Sequence, residues 1–522
     1  MRPSLILAVM LAFLLPTLPA GAQPPAITLV DAVRLTLEHN PSVMIQPELV
    51  REKEGLLQTA TGQFDLVAIA GANKGTNRVP LSTAQQLSRY STYRVRQDTF
   101  REDVDSYYMG LNQQLRNGVL VSPLISAQSL QNNYDQYDLV NYSEASLTIS
   151  VPLLKGLGER ATGGGELAAR SNLLAQRLLA KHQIARQVLQ TISSFWSLMA
   201  AEHLLQTAVE ARQRADDFYQ MLERLIKGGE LPPNLSTQAL AKLLSRDAEL
   251  ANTQLSVFQQ RQNLGLVLGL SPQELVDTPR PAGSLPQVEA PEVWQRLDRE
   301  ALVQEALRAR LDYQSLRNDL EAAGILVAQA DNFTKPDLKL SLKGGYAGLS
   351  ETSAFDAHYS SLTDELRGVN FQTALVLELP IENNAARGDL LRRRAIEAQT
   401  RLRLSELANS IASEVLVALE AVRRAEQEYQ LAGRSAKKYQ AAVEVANMRF
   451  QQGEGSINDV LDLEDKYSGA LGTQTNAWQR YAVATARLHY ATGTLLGEKD
   501  GALVFDPRRL ARVPQAGAGQ RP

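Results

Sequence analysis

The feature that most constrains the fold is a long pattern that occurs twice along the chain. The second copy begins about 270 residues after the first. Each copy joins short segments of alternating polarity to long helical runs without proline. Residues 147–152 align with 375–380, and residues 224–228 align with 449–453. Repeats of this size, each with strands and very long helices, predict that one chain is a fraction of a symmetric assembly.

Long helices are predicted from the spacing of apolar residues. Between Asp389 and Leu431 there is neither proline nor glycine, and apolar side chains recur at steps of three and four. This spacing indicates a helix with a coiled-coil-like seam. One such helix cannot bury its apolar stripe alone, so packed helical hairpins are expected. The long helices are predicted at 166–227, 234–268, 389–451 and 456–496.

Four short segments alternate between apolar and polar residues, as strands do. Residues 338–343 place leucines on one face and Lys339, Ser341 and Lys343 on the other. Such alternation is typical of a half-buried sheet, or of a barrel with lipid outside and water inside. Lysines on one face of a strand whose other face carries only leucines favour the barrel. The strands are predicted at about 65–73, 144–152, 337–345 and 371–380.

The number of strands constrains the assembly. Four strands cannot close a barrel that encloses water, and hydrocarbon does not tolerate open sheet edges. Three chains with twelve strands are the smallest arrangement with room for a channel, because eight-stranded barrels are filled by side chains. The predicted fold class is therefore mainly α with a membrane β-barrel. It has two internal repeats, long α-helical hairpins and four β-strands per chain in a shared trimeric 12-stranded barrel.

The chain divides into a leader, two structural repeats and a tail. Residues 1–22 combine one arginine, an apolar stretch and a small-residue cleavage site, which predicts a secretory signal peptide. An N-terminal membrane anchor is the alternative. The first repeat is predicted at 23–284 and the second at 285–498, with prolines marking the linker between them. Residues 499–522 are predicted to be a C-terminal tail.

An insert at 74–141 breaks the symmetry, because the corresponding part of the second repeat is far shorter. The insert is rich in tyrosine and contains a predicted hairpin that turns at Asn117–Gly118. We expect it to form an extended extracellular extension. Additional strands in the wall of the barrel are the alternative.

Composition excludes several classes of function. The chain has no cysteine, which rules out disulfides, thiolate metal sites and a lipid-modified N-terminal cysteine. Five histidines in 522 residues and the lack of catalytic motifs argue against an enzyme, a metal site or a cofactor. A net charge of −3 and a pI near 6.1 give no reason to expect nucleic acid.

Two segments carry a resemblance to a known family. Residues 449–462 read Arg-Phe-Gln-Gln-Gly-Glu-Gly-Ser-Ile-Asn-Asp-Val-Leu-Asp, and residues 27–41 read Ile-Thr-Leu-Val-Asp-Ala-Val-Arg-Leu-Thr-Leu-Glu-His-Asn-Pro. Together with the strand-to-helix segment 153–160, they resemble the TolC-like outer-membrane efflux protein family, the outer membrane factors. The resemblance covers essentially the whole chain after the leader.

The resemblance implies a homotrimeric channel-tunnel in the outer membrane of a Gram-negative bacterium, with a large periplasmic portion. Its strands would contact outer-membrane lipid, and its helices would form a periplasmic barrel. Such a channel exports substrates from the periplasm or cytoplasm as the outer component of a tripartite efflux or type I secretion system. The implied partners are a periplasmic adaptor protein and an inner-membrane transporter. No catalysis is implied.

The resemblance also implies a pore constriction. Asp459 and Asp462 match the two acidic positions of the family's constriction, so three chains would place six carboxylates around one axis. Carboxylates this close raise one another's pKa values and attract cations. Phe450 stands where the family often has a tyrosine, and Asn234 falls opposite the aspartate in the first repeat. The alternative is that both aspartates only cap and solvate the start of a helix.

A glycine-rich tip is expected to dock the adaptor. It comprises Gly228 and Gly229 in the first repeat, and Gly453, Gly455 and Ser456 in the second. The simpler role of these glycines is to allow tight turns. A different class of function, a periplasmic helical scaffold or adaptor that never enters a membrane, is the competing hypothesis. The strands separate the two, since an adaptor has no use for leucine faces opposite lysines.

Overall fold

The computed structural model describes residues 26–134, 140–284, 286, 297–351, 357–363, 367–499 and 502–510. The predicted signal peptide and residues 511–522 of the predicted tail lie outside the described residues. The described chain forms two compact units. We call them the helical unit and the sheet unit. The helical unit takes the described residues up to 44, 184–302 and those from 415 onward, and the sheet unit takes those of 45–183 and 303–414.

The strands and helices are numbered in chain order among the described residues. The strands are β1 (Ala26–Ile27), β2 (Val67–Pro80), β3 (Thr99–Gln114), β4 (Leu120–Asn132), β5 (Val140–Pro152), β6 (Arg280–Pro281), β7 (Asp337–Ser350), β8 (Arg367–Glu378), β9 (Gly497–Lys499) and β10 (Ala502–Val504). The helices are α1 (Leu29–His39), α2 (Pro41–Thr61), α3 (Thr83–Tyr93), α4 (Glu159–Thr162), α5 (Gly164–Lys227), α6 (Asn234–Leu268), α7 (Arg299–Ala309), α8 (Leu311–Phe333), α9 (Ala357–Thr363), α10 (Asn384–Gln451), α11 (Ile457–Ala491) and α12 (Pro507–Leu510).

The sheet unit is built on one antiparallel sheet of six strands in the order β2-β3-β4-β5-β7-β8. The expectation of four strands per chain is therefore wrong. Strands β3 and β4 come from the insert at 74–141, and they pair with each other and with the flanking strands β2 and β5. The predicted hairpin turn at Asn117–Gly118 joins β3 to β4. The insert thus adds two strands to the sheet.

The two faces of the sheet differ in polarity. Paired residues of antiparallel strands share a face, so the register assigns each side chain to one side. Leu340 of β7 pairs with Leu375 of the neighbouring strand β8 and with Val151 of the neighbouring strand β5. The three residues share one face of the sheet, and this face is apolar. The opposite face carries Lys343, whose ammonium lies 2.7 Å from the carboxylate of Glu144. We call these the apolar face and the polar face.

A buried ion-pair network stabilises the helical part of the sheet unit. Arg310, at the junction of α7 and α8, is 4% exposed and donates to the carboxylate of Asp312 at 2.6 and 3.0 Å, and to Glu414. Burial opposes the charge of Arg310, but these hydrogen bonds outweigh it and raise the pKa of the guanidinium. Burial of Asp312 is outweighed in the same way, so its pKa is lowered. Both groups therefore stay charged in the folded state.

The helical unit has a continuous apolar core. Thr36 of α1 bonds Thr191 of α5 at 2.9 Å, and the amide of Asn40 donates to the carbonyl of Val267 at 2.6 Å. These polar contacts fix α1 against the two long helices that it crosses. The core itself is contributed by α1 (Ala32, Val33), α5 (Val188, Ile192, Phe195, Leu198), α6 (Leu264, Leu268) and α11 (Ala482, Ala486).

No helix among the described residues combines the length and apolarity needed to cross a membrane.

Candidate functional site

The predicted tip consists of two turns in the helical unit, one between α5 and α6 and one between α10 and α11. In the first turn Gly229 has φ +80°, and the amide of Glu230 donates to the carbonyl of Leu225. In the second turn Gly453 has φ +77°, and the amide of Glu454 donates to the carbonyl of Arg449. The left-handed conformation favours glycine at both positions.

This shared geometry corrects the alignment of the two copies at the tip. The sequence comparison placed Gly228 opposite Gly453, whereas the matching turn residue is Gly229. Gly228 has an ordinary backbone conformation, and a Cβ there would come no closer than 3.4 Å to its neighbours. The conformational requirement for glycine therefore falls on Gly229 and Gly453 alone.

Gly455 is required for a different reason, a close approach of two backbone segments. A Cβ at this position would lie 2.9 Å from the amide nitrogen of Phe450 and 3.2 Å from the carbonyl carbon of Arg449. The loop after α10 thus folds back against the end of its own helix. Any side chain at 455 would push the two segments apart.

An apolar cluster supports the tip, and Phe450 is part of it. Phe450 is only 8% exposed, and its ring centroid lies 5.6 Å from that of Phe218 on α5. The structure therefore places Phe450 among packed helices, although the sequence analysis assigned it to the constriction. Its lack of a hydroxyl fits this apolar site. The other buried members of the cluster are Leu222, Ala239, Ile457 and Val460.

Asp459 and Asp462 lie on the exposed side of α11, opposite the buried residues Ile457 and Val460. Asp459 is in the first turn, where the helix dipole favours a negative charge. Asp462 pairs with Lys466, one turn farther along, at 2.7 Å. This hydrogen bond raises the pKa of Lys466. The two carboxylates thus share a face but not an environment, because of the two only Asp462 forms an ion pair within the described ranges.

Ser456 is the N-cap of α11. Its hydroxyl accepts a hydrogen bond from the amide of Asn458 at 3.2 Å. The capping role that was the alternative for the two aspartates therefore belongs to Ser456. Asn234 is exposed at the first position of α6, and no hydrogen bond joins it to either aspartate within the described part of the chain.

A set of ion pairs next to the candidate constriction has no signal in the local sequence. Glu464 of α11 accepts from Arg214 of α5 at 2.9 Å. Asp465 of α11 accepts from Arg246 of α6 at 2.7 Å, and also from Lys242. Arg246 is 8% exposed. These pairs connect α11 to both helices of the first hairpin, one to two turns beyond Asp459.

Within the described ranges, no group of three or more histidine, aspartate and glutamate side chains is arranged to hold a metal ion. The tip presents an exposed acidic face of α11. The opposite side of this helix packs against apolar residues, and ion pairs join the helix to its neighbours. Such a surface can attract and order cations without binding them tightly.

The fold matches that of solved outer-membrane channels. The outer-membrane channel OprN aligns with a TM-score of 0.64 at 15% identity, over 89% of this chain and 89% of its own. The CmeC channel of Campylobacter jejuni aligns with a TM-score of 0.63 at 14% identity, over 89% and 85%. VceC of Vibrio cholerae aligns with a TM-score of 0.62 at 17% identity, over 89% and 96%.

At these identities the likeness shows the fold. The resemblance inferred from residues 27–41 and 449–462 is confirmed at that level. No family model matches the chain, and no curated protein sequence matches it.

Proposed function

We propose, from the fold that this chain shares with outer-membrane channels, that it is itself a passive export channel of the outer membrane. In this proposal three copies assemble into one conduit with a large periplasmic portion. The conduit is the outer component of a tripartite efflux or type I secretion system, with a periplasmic adaptor and an inner-membrane transporter as partners.

The observation that carries the proposal is the pair of unlike faces on the six-stranded sheet. Leu375 and Phe371 of β8 are 63% and 75% exposed on the apolar face. On the polar face, Lys343 pairs with Glu144. Exposed leucine and phenylalanine side chains are unfavourable in water but favourable in contact with lipid. A charged opposite face is suited to a water-filled lumen. A periplasmic scaffold or adaptor would have no use for this arrangement.

The tip supports a role as a cation-attracting constriction, with the two aspartates contributing unequally. Lys466 offsets the charge of Asp462, whereas no cation lies beside Asp459 among the hydrogen bonds and ion pairs of the described residues. In a ring of three chains we expect Asp459 to dominate the attraction for cations. The turns at Gly229 and Gly453 leave backbone exposed and are the proposed adaptor-docking positions, together with Gly228, Gly455 and Ser456.

The test uses the full-length protein extracted from membranes. We expect it in the outer-membrane fraction, migrating as a trimer in detergent and conducting ions in planar bilayers. Recovery only from the soluble periplasmic fraction, with no conductance after reconstitution, would overturn the channel proposal and favour the scaffold.

A further inference from the structure

We propose that the inserted hairpin β3–β4 is part of the membrane wall, so that each chain contributes six strands and β8 of one copy pairs with β2 of the next. This inference rests on the proposed channel function and extends it. The occupant of each open sheet edge is a second copy of this chain.

The apolar face continues across the insert in the rows around Tyr346, and it gives way to charged residues at Asp103 and Asp105 of β3. Tyr346 of β7 pairs with Ala145 of β5, which pairs with Ile125 of β4, which pairs with Met109 of β3. Ile125 and Met109 are 51% and 64% exposed on this face. An extension projecting into water would gain nothing by matching the apolar side chains of β5 and β7 row by row. A wall in contact with lipid requires it.

The polar face continues as well. Lys343 of β7 pairs with Thr148 of β5, which pairs with Ser122 of β4. On the same face, Ser126 and Gln128 follow along β4. At Ser122, Ser126 and Gln128 the hairpin therefore continues the polar face of β5 and β7.

Several large side chains also lie on the polar face, among them Leu120, Leu130 and Tyr142, and two others each cover a glycine of the neighbouring strand. Tyr108 pairs with Gly71, and a Cβ at 71 would lie 2.5 Å from the tyrosine ring. Leu124 pairs with Gly110, where a Cβ would lie 2.9 Å from the leucine. Large side chains lying flat over glycines are a device of curved barrel walls, because they fill the gap without protruding into the lumen.

The turn of the hairpin is anchored where the sheet meets the helices. The guanidinium of Arg116 donates to both oxygens of Glu166 on α5, at 2.8 and 3.1 Å. The amide of Gly158 donates to the carbonyl of Asn117 at 3.0 Å. A Cβ at Gly118 would lie 2.2 Å from the carbonyl oxygen of Gly156, so this contact requires glycine. The hairpin thus spans the full height of the sheet.

The two edge strands of the sheet, β2 and β8, are complementary. Among the described residues, β2 pairs only with β3 and β8 only with β7. An even number of alternating strands makes β8 antiparallel to the β2 of a following copy. On the apolar face, β8 offers large residues, with Val369 82% exposed, while β2 offers Ala68, Ala70 and Ala72 before its polar end at Lys74. Large residues beside alanines can pack across such a seam.

A ring of copies joined in this way closes without a free edge. Three six-stranded chains supply eighteen strands, where four-stranded chains would supply twelve. Because barrel diameter grows roughly in proportion to strand number, the pore would be about 1.5 times as wide. The inferred wall therefore admits bulkier cargo than a twelve-stranded wall.

The first experiment tests the wall, and it exploits the lack of cysteine in the native chain. Ile125→Cys and Ser126→Cys are adjacent in β4 and lie on opposite faces. In outer membranes carrying the full-length protein, we expect a water-soluble maleimide to label Ser126→Cys and a lipid-soluble maleimide to label Ile125→Cys. Leu342→Cys and Ser341→Cys on β7 are the matched control pair.

The outcomes separate the two proposals. Equal labelling of positions 125 and 126 by the water-soluble reagent, with alternation preserved at 341 and 342, would overturn the wall inference and leave the channel standing. If the two maleimides also failed to distinguish position 341 from position 342, the channel proposal itself would have failed.

The second experiment tests the seam by disulfide crosslinking. Asn370→Cys on β8 is combined in turn with Ile69→Cys, Asn73→Cys and Asn77→Cys on β2, all on the polar face, so that several registers are sampled. We expect at least one pair to give covalent ladders ending at three chains. The control, Asn370→Cys with Ser126→Cys, should give none, because β4 is three strands from β8. Monomer alone from every β2 partner would overturn the seam.

Discussion

The sheet and the helical tip differ in how much of their arrangement is visible in the local sequence, and in the environment that their side chains meet. In the sheet, polarity alternates from one residue to the next, and the solvent on each side decides which residue is acceptable. In the tip, Arg214 reaches Glu464 and Arg246 reaches Asp465, more than 200 positions away. Sheet polarity is thus a local property of the sequence, whereas the contacts at the tip exist only in the fold.

The tip should be most sensitive to loss of packing. Replacing Phe450 by alanine removes a buried ring that contacts Phe218, and we expect a loss of about 3–5 kcal/mol in the free energy of unfolding. Phe258→Ala on α6 is the control, because that side chain is 58% exposed. Thermal unfolding followed by circular dichroism would compare them. Equal destabilisation by the two substitutions would contradict the placement of Phe450 in a core.

The sheet should be most sensitive to a charge on the wrong face. We expect Leu340→Lys to lower the stability of the inserted channel by about 2–4 kcal/mol, as for lysine at mid-depth on the lipid side of a barrel. Ser341→Lys, one residue along and on the polar face, should have little effect. Heat-resistant assembly in native-like lipid would be measured for both. Similar losses from the two variants would remove the distinction between the faces.

A pH effect is expected where the sheet meets α5. The hydrogen bond from Arg116 lowers the pKa of Glu166, which is 4% exposed. A carboxyl with a lowered folded-state pKa contributes stability above its unfolded pKa of 4.5 and loses it as pH falls through the folded value.

Glu166→Gln should therefore cost about 1–3 kcal/mol at neutral pH. The difference from the wild type should shrink under acid conditions below pH 4.5. Melting temperatures of both proteins across a pH series would measure it. A difference that stays constant through the acid range would show that the ion pair does not contribute.

The smallest effect concerns conduction rather than stability. Asp459→Asn should weaken block by divalent cations about fivefold, since it removes a carboxylate without a neighbouring cation. Asp462→Asn should weaken it less, because Lys466 already offsets that charge. Glu38→Gln, on an exposed position of α1, is the control. Concentration dependence of block in planar bilayers would rank the three. An equal effect of the two aspartates would contradict the role assigned to Lys466.

The same contrast explains which features could be predicted from the sequence. The leucine and lysine alternation at 338–343 predicted a strand, and β7 spans it. The hairpin that turns at Asn117–Gly118 was predicted, but the full length of β3 was not, because Glu102, Asp103 and Asp105 place charges on both faces and obscure the alternation. Its place in the sheet depends on pairing with β2 and β4, which no local pattern contains.

The helices lie close to the positions that their local sequence signals predicted. Most contacts at the tip have no such local signal. The structure has α6 at Asn234–Leu268, over the predicted residues, whereas α11 ends at Ala491 rather than 496 because Gly493 takes φ +73°. The aspartates were found by resemblance to a motif. The pairing of Asp462 with Lys466 could have been found from their four-residue spacing, but the pairs with Arg214 and Arg246 could not.

The exposed apolar face of the sheet also has a consequence for biogenesis. If the chain is the proposed outer-membrane channel, a lone copy in the periplasm would present this face and two unpaired strand edges to water, a combination that promotes aggregation. The helices follow local sequence signals and can form early, whereas in the proposed assembly the strands would be stabilised by lipid and neighbouring copies. Membrane insertion and oligomer assembly are thus expected to be a single step, and an unassembled sheet is a natural target for periplasmic chaperones and proteases.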